Sequence, residues 1–81
     1  MAYTLHRLAA GSYDLARDAV IIGCVVREVL PSEHIAGWRV ELLDDPPKAL
    51  RPHPFKKIEH YFPTLKAVLA WLGDAHVIES D

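Results

Sequence analysis

The sequence carries a single cysteine, Cys24, so no disulfide can close within the chain. A secreted domain of this size usually holds several bridges, and the expectation is a reducing, cytoplasmic setting. No long apolar run exists either: the longest nearly apolar stretch goes from Ala19 to Val26, well short of the roughly 20 residues a membrane-spanning helix needs. Met1 to Arg7 lacks the apolar stretch of a signal peptide, and no membrane partner is expected. Excess charge of one sign is also missing. The 9 Lys+Arg stand against 11 Asp+Glu, a formal net charge of -2, which excludes a strongly basic nucleic-acid clamp. The four glycines, Gly11, Gly23, Gly37 and Gly73, are isolated, so no phosphate-cradling loop can be built from them. Internal repeats and low-complexity tracts are absent.

What remains is the composition of an ordinary globular domain, 51% hydrophobic and 25% charged over 81 residues. That length suits one domain, residues 1–81, and a chain so short buries only about 60% of its unfolded surface. Tyr3 to Ala9 reads as a strand of poor alternation, punctuated by Gly11-Ser12. Tyr13 to Arg17 has period two, followed by a tight turn at Arg17-Asp18. Ala19 to Arg27 is rich in β-branched residues, which fit a pleated surface and crowd a helix. Pro31, Ser32 and Gly37 mark a loop, and Trp38, Val40 and Leu42 then alternate with Arg39 and Glu41. Four prolines between Asp44 and Pro54 exclude regular structure there, giving a Pro-rich loop over 44–57. Lys57 to Phe62 is a further short strand. Thr64 is placed to cap a helix whose buried face is Leu65, Val68, Leu69 and Leu72, with Gly73 at its C-terminal end. Residues 74–81 read as a short tail with an extended piece at His76-Val77-Ile78. The resulting class is α+β: a small antiparallel meander of three to five strands with one C-terminal helix on one face.

One short helix can shelter one sheet face, yet the strand from Ala19 to Val26 is apolar on both. Leaving three β-branched side chains wet forgoes about 1.5–3 kcal/mol each. The second face therefore calls for cover, from the loop with Leu50 and Phe55, from the N-terminal Tyr3 and Leu5, or from another chain. The expectation is a homodimer whose interface draws on Ile21, Val25, Trp38 and Trp71. Trp71 lies off the helical stripe, which leaves it placed either at the sheet edge or as an anchor for a partner protein.

The chemistry-bearing residues form no legible site. The five histidines, His6, His34, His53, His60 and His76, lack the close helical pairing of a zinc site, so no metal and no cofactor is expected. Cys24 sits in the most apolar strand, as a small hydrophobe would. Asp44-Asp45 is accounted for by a turn before Pro46. No catalytic residue can be named, and an enzyme has no motif behind it. The one local charge anomaly is the loop, where Lys48, Arg51, Lys56 and Lys57 occur with Phe55 and without an acid. Cations interleaved with an aromatic can track a phosphate backbone and stack a base. A small sheet followed by a helix is an arrangement found in several nucleic-acid-binding modules, but no residue motif of theirs occurs here. The leading expectation is thus a non-enzymatic, self-associating interaction or accessory module. The alternatives are a weak nucleic-acid binder using the basic loop, and a small ligand-binding protein or enzyme.

Overall fold

A computed structural model describes residues 3–29 and 36–79. Six strands are found there: β1 (Tyr3–Ala9), β2 (Ser12–Arg17), β3 (Val20–Val29), β4 (Ala36–Leu42), β5 (Glu59–Phe62) and β6 (His76–Ile78). They form one sheet in the order β5-β4-β3-β2-β1-β6. The helix α1 (Leu65–Trp71) packs against β4 and β5. The class is α+β with a mostly antiparallel sheet, larger than the three to five strands expected. The added strand is β6, in the segment read as a tail. It runs parallel to β1, with Thr4↔His76, Leu5↔Val77 and His6↔Ile78 in register. Three residues are too few for period two to declare itself, and the free edge of β1 is what makes them a strand.

Local sequence explains the joints. The β2–β3 hairpin closes on Arg17↔Val20, so its two-residue turn is Asp18-Ala19 rather than Arg17-Asp18. Both turn residues are left-handed, φ 51 and 69, the combination whose twist matches a hairpin. The Thr64 hydroxyl accepts from the Ala67 N–H at 3.1 Å and caps α1. Gly73, at φ 80, and Asp74, at φ 61, then turn the chain toward β6. Gly37 lies within β4 opposite Glu28, not in a loop; Pro31, Ser32 and His34 fall outside the described residues. The Pro-rich segment contains one 3-10 turn, Lys48–Leu50, closed by the Leu50 N–H donating to the Pro47 carbonyl at 2.8 Å.

The two sheet faces differ sharply. Register places Leu5, Leu15, Val25 and Val40 on the helix side, where all four are fully buried with Val68 of α1. Tyr3, Tyr13, Leu42, Phe55 and Leu72 complete that core. The open face carries Thr4 and His6, Ser12 and Asp14, Cys24 and Val26, Arg39 and Glu41, and Glu59 and Tyr61. Its neighbouring strands are polar, and they flank Cys24 and Val26, which are half-buried. This narrows the expected greasy second face: polar residues from β1, β2, β4 and β5 surround Cys24 and Val26, and the apolar surface of β3 on that side is left to Ile21, opposite Ala16 at the hairpin end. It also corrects the expected cover. Tyr3, Leu5 and Phe55 are on the helix side, so none of these three roofs the open face.

Candidate functional site

The exposed apolar surface collects at one end of the sheet, and a bulge puts it there. Leu15 pairs with Gly23 and Ala16 pairs with Ile21, so Ile22 is an extra residue in β3. Ile22 leans on the core, whereas Ile21 comes opposite Ala16 and stays 52% exposed. Without the bulge, alternation would put Ile21 on the same side as Val25. The adjacent Val20 is 62% exposed. Just past the end of β4, Leu43 reaches the same end, its N–H donating to the Ile22 carbonyl at 2.9 Å. Leu50 of the Pro-rich loop stands opposite. Leu43 and Leu50 are 65% and 73% exposed. Together with Leu42 and Pro46 these side chains surround an open cleft of about 360 Å³, whose charged lining residues are Arg17 and Asp44. A seven-residue helix is about 10 Å long. Packed on β4 and β5, it does not roof this end.

Of the four residues expected at an interface, only Ile21 belongs to this surface. Val25 is wholly buried and can present nothing to a partner. Trp38 is half-buried with its ring 6.0 Å from that of Tyr13. Trp71 is not an open anchor. Its ring packs 4.8 Å from Phe55, 4.7 Å from His60 and 5.0 Å from Phe62, by centroid. Alternation separates two faces of a strand without saying which face the helix takes, and this accounts for the misplacement of Val25. Val20, Leu43 and Leu50 are not among the expected interface residues: Val20 is the first residue of its strand, Leu43 follows a strand end, and Leu50, expected only as cover, lies in a loop where no period marks it.

The basic loop is built as a structural strap. Phe55 is buried, 6.3 Å from Tyr3 by ring centroid, so it offers no face to a base. Its N–H donates to the Pro52 carbonyl at 2.8 Å, and the Tyr3 hydroxyl donates to the His53 carbonyl at 2.7 Å. The Arg51 guanidinium donates to the Lys56 carbonyl and lies 3.6 Å from Asp45. Lys56 and Lys57 are exposed; the Lys48 side chain lies outside the described residues. The expected cluster of four cations around a stacking aromatic is therefore not formed among the described side chains. A second cavity of about 250 Å³ lies between this strap and α1, walled by Tyr3, His53, Trp71 and Gly73.

On the open face, Arg39 gathers three carboxylates: Glu28 at 2.9 Å, Glu41 at 2.5 Å and Glu59 at 3.9 Å. Burial pulls against the Arg39 charge, but the Glu28 and Glu41 carboxylates outweigh it and the guanidinium is held more firmly protonated. Cys24 sits between Asp14 and Glu41 on this face, half-buried rather than in the core. Burial first, and the Glu41 charge next, push its thiol up, the opposite of what a nucleophile requires. No three His, Cys, Asp or Glu side chains converge as metal ligands among the described residues, and no helix there is long and apolar enough to cross a membrane.

Comparison with protein-family models, with curated proteins and with solved structures finds no match to this chain.

Proposed function

We propose that the chain is a small self-associating interaction module, in which two copies bury the apolar end of the sheet against each other. The observation that carries this reading is the gathering of Val20, Ile21, Leu43 and Leu50, each more than half exposed, around one cleft. Contiguous exposed apolar surface of this kind marks a contact site. Burying such side chains returns about 1.5–3 kcal/mol each, a large sum beside the few kcal/mol that hold a small domain together. A second copy suits the surface because a twofold axis sets the same apolar side chains of both copies against each other and needs no other partner. The charged lining residues, Arg17 and Asp44, are of opposite sign, so the lining of the cleft carries no net charge into the contact. No reaction is part of the proposal. The nucleic-acid reading keeps Lys56 and Lys57 and loses its stacking residue.

Sedimentation velocity over a concentration series tests this. The wild-type weight-average sedimentation coefficient is expected to climb with concentration, while Ile21→Asp and Leu50→Asp stay at the monomer value with unchanged circular dichroism. Both sites are exposed, so each substitution should alter stability by no more than about 0.5 kcal/mol. A wild type that remains monomeric throughout, or variants that associate as the wild type does, would refute the reading.

A further inference from the structure

Strand β5 turns His60 to the helix side, opposite Val40. Its Nε2 lies 3.3 Å from the backbone nitrogen of Lys56 and 3.3 Å from that of Lys57, and accepts from both N–H groups. Two donors converging on one ring nitrogen require a lone pair there, so the ring's proton belongs on Nδ1. A second proton would turn that acceptor into a donor aimed at two donors. It would also add a positive charge beside two lysines. Phe55 of the strap and Trp71 of α1 pack on the ring, at 5.9 and 4.7 Å by centroid, and neither titrates. Burial first, and then the Lys57 and Lys56 ammonium groups, hold the imidazole below the ordinary histidine range.

We propose that His60 is an acid-released latch for the 51–57 strap. The neutral ring collects the Lys56 and Lys57 amides and so seats Phe55 against Tyr3 and Trp71. Protonation frees those amides, lets the strap lift, and widens the cavity between it and α1. The sign follows from linkage: the open form takes the proton more readily than the closed one. The latch is therefore fully closed above the ordinary histidine pKa, about 6.5, and weakens as pH falls through it.

Amide hydrogen exchange of the full chain, read by NMR at pH 7.5 and 5.0 and corrected for intrinsic rates, tests the latch. Protection at Lys56 and Lys57 is expected to drop about tenfold at the lower pH, while the β3–β4 ladder keeps its own. His60→Gln, which retains an acceptor oxygen but does not titrate, should hold its protection at both values. The ring nitrogen shifts of the wild type at pH 7.5 should report the Nδ1-protonated tautomer. Equal wild-type protection at the two pH values, the same loss in His60→Gln, or a ring protonated on Nε2 at pH 7.5 would each overturn the proposal. Should His60→Gln fail to fold, the tautomer and the wild-type pair of measurements decide.

Discussion

Replacing Gly23 by alanine is expected to cost about 3 kcal/mol or more, at the upper end of what overpacking does, and to lower the thermal midpoint by about 15 °C. A Cβ built on Gly23 would stand 2.2 Å from the Glu41 carbonyl oxygen and 3.2 Å from the Leu42 Cα. These are backbone atoms of β4, paired to β3 at Gly23↔Leu42, and they cannot swing aside as a side-chain tip can. Alanine's lower unfolded-state entropy returns less than about 1 kcal/mol, so the clash decides the sign. Gly73→Ala is the matching control. Nothing lies within 4 Å of its Cβ, and only its left-handed φ of 80 opposes the change, a penalty of about 1–2 kcal/mol. Thermal denaturation of the two variants ranks them; equal losses would contradict the role given to close strand approach at Gly23.

Phe55→Ala should be nearly as damaging, at about 3–5 kcal/mol. A residue of a solvated basic loop would cost less than about 0.5 kcal/mol on truncation. Phe55 is instead the buried pin of the strap, wedged among Tyr3, His60 and Trp71. An 81-residue domain has roughly 4–12 kcal/mol in total, so this truncation consumes much of it. Urea unfolding measures the loss, and Phe55→Leu, which keeps most of the volume, should recover over half of it. A loss below about 1 kcal/mol in Phe55→Ala would show that the strap is not anchored by this ring.

Residues that depend on their own neighbours were readable from sequence. The β-branched run of β3, the Trp38-Val40-Leu42 alternation, the Thr64 cap and the Leu65–Leu72 stripe all carry local periods or local hydrogen bonds, and each forms the element its pattern implies. Features that need a partner strand were not. The bulge at Ile22 has no residue signature, because it exists only as a register shift against Leu15 and Ala16. That one shift moves Ile21 to the surface. Strand β6 depends on the vacant edge of β1, more than 70 positions upstream. Phe55 sits among cations and prolines and so reads as solvated; its burial comes from Tyr3 and Trp71, at opposite ends of the chain. The uncovered apolar surface of β3 is narrower than expected for the same reason, and is kept at the hairpin end by Val20 and Ile21. Whether Cys24 and Val26 need cover is settled by their cross-strand neighbours Asp14, Ser12, Arg39 and Glu41, and those are polar.

The placement of the self-associating surface is tested most directly by methyl NMR on a dilution series. The methyl signals of Val20, Ile21, Leu43 and Leu50 are expected to shift with concentration, while those of Val26 and Ile78, elsewhere on the open face, hold still. Concentration-dependent shifts confined to Val26 and Ile78, or no shift at any of the six residues, would contradict that placement.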